Sequence, residues 1–391
     1  MQMIIAPLIT YQVYNNEFGF KMDVSEDVYI NQATPLVFSF IIGIYLPIIK
    51  RKQIDINNLF FNVNQVKLFN FGWYFLIFGL FSDAALTFLP MSLKFIFTIF
   101  SYFQFLGAFC LFFSNYKYKL YVVGFVYALF LLQSIGTGMF YALIVWGFFL
   151  ASLFFIKYQT KFHIKLLIIL SAFMAIFIIQ AVKREYREII KKEKESNKVE
   201  LFYTKINEKL ESKPITEDKQ AIERFLERVN TGHITAKVFN HTPKKQPFSN
   251  GQELLDDIIS TLMPRFLFPN KKSVGGEDNS EKFFKYTGRV LNDTTIMRIG
   301  IIGDAYLNFG LIGGCLLLLI LGILINLLLT SMQNYSLTYP LLILWIPIIF
   351  NYVVRMSDFI VIINSVIKIL FILSIFLFVF PRLLLFEKNT N

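Results

Sequence analysis

The stretch IKLLIILSAFMAIFIIQAVKREYREIIKKEKE, residues 164–195, changes character at Lys183. Its first part is apolar and long enough to cross a bilayer core of roughly 30 Å at about 1.5 Å per residue. Its second part alternates basic residues with glutamates at helical spacing, the pattern of a helix in water. One helix therefore leaves a membrane and continues into solvent as a charged, solvated face. That reading sets the fold: membrane spans bearing a hydrophilic region that opens at Lys183.

Working outward, the same ruler gives spans near 34–50, 71–89, 93–113, 119–134, 138–156, 164–182, 305–330, 338–354 and 358–380. Met3–Tyr14 is about half a span, a re-entrant or interfacial piece or a truncated first helix. Composition agrees: 55% of residues are hydrophobic and 17% charged, against about a quarter charged in soluble domains. The expected fold class is an all-α polytopic membrane protein with nine or ten spans and one large loop domain containing amphipathic helices. Its expected divisions are an N-terminal bundle (1–182), the loop domain (183–303) and C-terminal helices (304–391). Cys110 and Cys315 lie in apolar runs and read as small buried residues. MQMIIAPLIT has neither the basic start nor the small-residue site of a cleavable signal peptide.

Charge gives an orientation. Lys50, Arg51, Lys52 and Lys67, then Lys117 and Lys119, then Lys157, Lys161 and Lys165 fall in alternate loops. Basic short loops stay cytoplasmic, so the long 183–303 loop is expected outside, where its own charge does not matter. The net charge of +11 is then read through the positive-inside rule and an anionic lipid substrate, with no nucleic acid partner.

Within the loop, Thr216 is expected to cap ITEDKQAIERFLERVNTG, whose Ile222, Phe225, Leu226 and Val229 form a stripe. Asn250 with Glu253 reads as a capping box for GQELLDDIISTLM. Both helices are amphipathic and are expected on the bundle or in the interface. The chain has no P-loop, no His-Glu-x-x-His, no Gly-x-Ser-x-Gly and no Asp-x-Asp. ATP-driven transport, a zinc site and a serine elbow are therefore not indicated, and neither metal nor cofactor is expected. Ionisable residues are sparse in the spans: Asp83, Lys368 and Arg355. A transporter or flippase would need more of them, on more helices.

Basic groups concentrate instead in the loop, at Arg224, Arg228, Arg265, Lys271, Lys272, Arg289 and Arg298. Arginine holds phosphate through a planar fork and stays charged. Several together stabilise a departing diphosphate without a metal. Arg265 lies among Pro264, Phe266, Leu267 and Phe268, the apolar collar of a lipid interface.

ERVNTG (227–232), QPFSNGQELLDDI (246–258), MPRFLFPNKKSVGG (263–276) and GDAYLNFGLIGG (303–314) together resemble the bacterial oligosaccharide repeat-unit polymerases, the Wzy-like O-antigen polymerases. The layout is similar too: many spans, one large external loop towards the C-terminal end, then a few more spans. The resemblance implies a glycosyltransferase at the outer face of the bacterial cytoplasmic membrane. It would join a glycan on a polyprenyl diphosphate to a hydroxyl of the next lipid-linked unit, alongside a chain-length regulator and a flippase. Asp304 would then be the general base, standing where related ligases carry a histidine, with His241 and His233 as the other bases to consider. Arg265 and Arg289 would hold the diphosphate, with Arg228, Lys271 and Lys272 behind them. Tyr306 and Asn308 would meet sugar hydroxyls. Asp304 also suits a helix N-cap. An O-antigen ligase-like transferase and a lipid-linked oligosaccharide transporter remain alternative readings.

Overall fold

The computed structural model describes residues 2–13, 21–192, 197–212, 219–263, 268, 277–291, 297–354 and 357–379. Among them the chain forms helices and no strand. In order these are α1 (Ile5–Gln12), α2 (Glu26–Tyr45), α3 (Ile56–Phe61), α4 (Gln65–Ala85), α5 (Met91–Ser101), α6 (Phe103–Phe113), α7 (Lys119–Thr137), α8 (Tyr141–Tyr158) and α9 (Phe162–Lys192). There follow α10 (Lys198–Ser212), α11 (Lys219–Val229), α12 (Gly232–His241), α13 (Gln252–Leu262), α14 (Glu277–Thr287), α15 (Ile301–Tyr335), α16 (Leu342–Val354) and α17 (Phe359–Val379). Among the described residues eight stretches are long and apolar enough to cross a membrane, with α5 and α6 counting as one. This is the architecture of an all-α, multi-pass membrane protein.

The helix ends follow local chemistry. α2 starts earlier than its apolar run, with Glu26 and Asp27 in its first turn, where acids suit the positive end of the helix dipole. It stops at Tyr45 because Leu46 precedes Pro47 and is extended. α7 runs past its expected end to Gly138, whose φ of 65° closes the helix in the left-handed region that glycine enters freely. α9 continues unbroken from its apolar half into the charged one, as the sequence implies. The expected span at 338–354 is corrected: α16 has 13 residues, about 20 Å of helix, too short to cross alone. Residues 336–341 before it form turns around Pro340. The half-span at Met3–Tyr14 is the eight-residue α1.

By compactness the chain falls into two units. One unit joins Met1–Arg51, Leu226–Met332 and Ile349–Phe376; the other joins Lys52–Phe225, Gln333–Ile348 and Leu377–Asn391. In the second unit α6 is buried along its length, and α4 packs on it through Gly72, Gly79 and Gly107, where a Cβ would overlap the opposite helix. Asp83 there accepts a hydrogen bond from Gln133 Nε2 at 3.1 Å. In the first unit α2 and α15 cross backbone to backbone at Gly43 and Gly322. Tyr29, Phe239, Phe283, Tyr286, Tyr306 and Leu307 belong to its core. Asn230 Nδ2 ties in α1 by donating to Thr10 Oγ1 at 2.9 Å.

Candidate functional site

GDAYLNFG lies at the head of α15. The helix breaks at Gly310, with φ 67° and ψ −160°, a conformation open to glycine alone. Asp304, Tyr306 and Asn308 therefore sit on a short helical head before the long apolar run.

Asp304 is fully buried. Its Oδ1 is 2.9 Å from Lys282 Nζ on α14, and its Oδ2 accepts the backbone N–H of Phe359, the first residue of α17, at 2.9 Å. Asp358 reciprocates: its Oδ1 accepts the N–H of Gly300, just before α15, at 2.7 Å. Each aspartate thus satisfies a free amide at the other helix's start. Asp304 is a helix cap, but of α17 rather than of its own helix. Lys282 also reaches Asp257 Oδ2 on α13 at 3.0 Å. Arg298 Nη1 lies 3.6 Å from Asp358 Oδ2 and donates to Asn279 Oδ1 at 3.4 Å. Burial alone would push the Lys282 ammonium down. Asp304, Asp257 and Asp358 outweigh it and hold its pKa above the usual lysine value. Asp358 is pushed up by burial and then by Asp304, against the pull of Lys282 and Arg298. Nearer the surface Glu253 accepts from Lys285 Nζ at 3.0 Å and from Tyr286 Oη at 3.2 Å.

The expected capping box is corrected here. Asn250 and Gly251 are both left-handed, at φ 50° and 87°, and Gly251 is the N-cap of α13. Glu253 turns inward to Lys285 and Tyr286 instead of back to the helix start. Asn308 is fully buried. Its Oδ1 accepts from Ser249 Oγ at 2.6 Å and Leu254 N at 3.2 Å, and its Nδ2 donates to the Asp304 carbonyl at 2.8 Å. Tyr306 is packed between Phe239 and Phe248, ring centres 4.6 and 5.5 Å away.

A second charged region lies at the end of α12. His241, its last residue, is half-buried and sets its ring against Gly288, where a Cβ would collide with it. The next residue is the exposed Arg289. Burial, then the nearby Lys245 charge, lowers the His241 pKa below the ordinary histidine value, so the ring is neutral at neutral pH. Lys244 and Lys245 are exposed beside it. His233, eight residues earlier, is buried with Nδ1 2.6 Å from the Asn230 carbonyl oxygen. Its pKa is lowered chiefly by burial.

Of the sequence-named groups, then, the structure brings His241 against the residue preceding Arg289 and sets Asp304 among other buried charges. Arg228 is exposed at the end of α11. Arg265, Lys271, Lys272 and the Thr216 cap lie outside the described residues. Sequence reasoning missed Asp257, Lys282 and Asp358. The signal for Asp257 was a polar stripe on α13, Glu253, Asp257 and Ser260, at the spacing of one helix face. Among the described residues no group of histidines, cysteines and acids could hold a metal ion.

A family described as a domain of unknown function (DUF8712) matches residues 14–388, and the chain belongs to it. No curated protein and no solved structure matches the chain.

Proposed function

We propose that this protein is a glycosyltransferase of the bacterial cytoplasmic membrane that lengthens polyprenyl-diphosphate-linked oligosaccharides at the outer face, working without a cofactor. The observation that supports the reading is the packing of the His241 ring on Gly288, the residue before the exposed Arg289, whose charge is felt at His233, on helices folded against the head of a long apolar helix. His241 and Arg289 are the two groups the transfer needs. His241 takes the proton from the acceptor hydroxyl of the incoming lipid-linked unit. The new C–O bond forms at the donor sugar as the bond to the lipid diphosphate breaks. The leaving diphosphate keeps the electron pair, and Arg289 stabilises its charge. Lys244 and Lys245 add positive potential that draws the anionic donor in.

Asp304 is a positioning residue in this scheme. A base must come within about 2.6–3.2 Å of the proton it takes, and both Asp304 oxygens are occupied in a closed core. Its work is to hold α14, and with it Gly288 and Arg289, over the heads of α15 and α17. A chain-length regulator and a flippase of the same pathway are the expected partners.

The test is purified, reconstituted protein supplied with lipid-linked repeat units, with product length read on a gel. A ladder supports the reading. If no repeat unit gives a ladder and a deletion strain retains its units on the cytoplasmic face, the transporter reading replaces it.

A further inference from the structure

α13 is amphipathic in the opposite sense to a helix in water. Glu253, Asp257 and Ser260 face inward and are buried, while Leu255, Ile259 and Leu262 face outward, Leu262 being 64% exposed. The outer three recur at i, i+4 and i+7, a single face. In water this inverts what burial favours: apolar surface is left wet and carboxylates are desolvated. It is favourable where the surroundings are hydrocarbon, because ionisable groups in a membrane turn to the protein interior and pair there.

α15 shows what continues that face. Beyond the Gly310 kink it exposes Ile312, Leu316, Ile320 and Leu324, Ile312 at 79%, a stripe along an apolar helix long enough to cross the membrane. The exposed Phe309 heads the stripe and lies over Gly251 at the start of α13, where a Cβ would collide with its ring. Leu254 N holds the two helices together by donating to Asn308 Oδ1 at 3.2 Å. We propose that α13 is immersed in the bilayer, its Leu255–Ile259–Leu262 face covered by the acyl chains of membrane lipid. The lipid-facing surface of α15 then runs past its kink onto α13. The helix is a wall, with hydrocarbon on one side and the Lys282 charges on the other. The inference stands on packing alone and does not depend on the proposed transferase activity.

The test uses the full chain with Cys110→Ala and Cys315→Ala, and Ile259→Cys or Leu262→Cys carrying an environment-sensitive fluorophore. The protein is placed in phosphatidylethanolamine–phosphatidylglycerol vesicles. Ile312→Cys is the lipid reference and Val290→Cys, at an exposed position outside the apolar helices, the water reference. Nitroxide on the lipid acyl chains is expected to quench both α13 labels to the same fractional loss as at position 312, with iodide in the buffer leaving them unchanged. Iodide quenching like that at position 290 would overturn the proposal. So would labels that neither agent reaches, which would mean a second copy of the chain covers the face. So would quenching confined to a nitroxide-tagged polyprenyl lipid, which would assign the face to the substrate's chain. Leu262, at the helix end, remains informative if Ile259→Cys does not fold.

Discussion

Lys282, in the middle of α14, and Arg289, two residues beyond its end, live in opposite surroundings. Lys282 is buried against the carboxylates of Asp257 and Asp304; Arg289 is exposed next to the glycine that carries the His241 ring. The difference teaches what each charge is for. A cation closed in by carboxylates cannot also bind a ligand, and removing it strands buried anions. A solvent-exposed cation, whatever else it touches, contributes little to stability, and the proposed chemistry uses it.

That contrast breaks if substitutions in the two regions have the same consequence. The largest expected effect is from Lys282→Met, which leaves the buried carboxylates of Asp257 and Asp304 without the ammonium they share. It should cost about 3–5 kcal/mol, seen as a fall in melting temperature in detergent, and adding Asp304→Asn should recover part of the loss. His241→Gln should lower kcat by about 10²- to 10⁴-fold with melting unchanged, the reverse signature. Asp304→Asn keeps an acceptor for the Phe359 amide but loses the ion pair, and should cost about 1.5–3 kcal/mol. Asp358→Asn should cost less, because its ion pair with Arg298 is the longer one, 3.6 Å against 2.9 Å for Asp304 with Lys282. Glu253→Gln, whose partner Lys285 is half-exposed, should cost about 1 kcal/mol, also read by melting.

A pH profile sharpens the same comparison. A base whose pKa is lowered is protonated only in acid, so turnover should be flat through neutrality and fall below about pH 6.5. His241→Gln should abolish that limb. Lys282 moves the other way. Its folded pKa is raised, so its stabilisation is complete at neutral pH and is lost only as pH climbs past about 10.4 and through the folded value. Melting temperature should therefore not follow the activity limb.

How much of this was legible in the sequence depends on the range of the forces. The spans came from apolar length, and the passage of α9 from lipid into solvent from local charge. α16 was overestimated because the turns before it are as apolar as a helix. GDAYLNFG could be singled out, yet Asp304 takes its role from Lys282 and from the Phe359 amide, 22 and 55 positions away, and no local pattern contains them. The capping box failed for the same reason: Glu253 finds Lys285 and Tyr286, more than 30 residues on. On α13 the periodicity was visible but not its direction, because a helix wheel does not say whether water or hydrocarbon lies outside.

The central claim is that chemistry belongs to the region of His241 and Arg289 and architecture to the buried Asp304 cluster. The most direct test is the rate of glycan lengthening per correctly folded molecule, in reconstituted vesicles with lipid-linked repeat units, for the unmodified chain, His241→Gln and Asp304→Asn. The account predicts that His241→Gln folds fully and loses the ladder, whereas the folded fraction of Asp304→Asn keeps most of its rate. A His241→Gln ladder of normal length, with well-folded but inert Asp304→Asn, would contradict it and return the catalytic base to the head of α15.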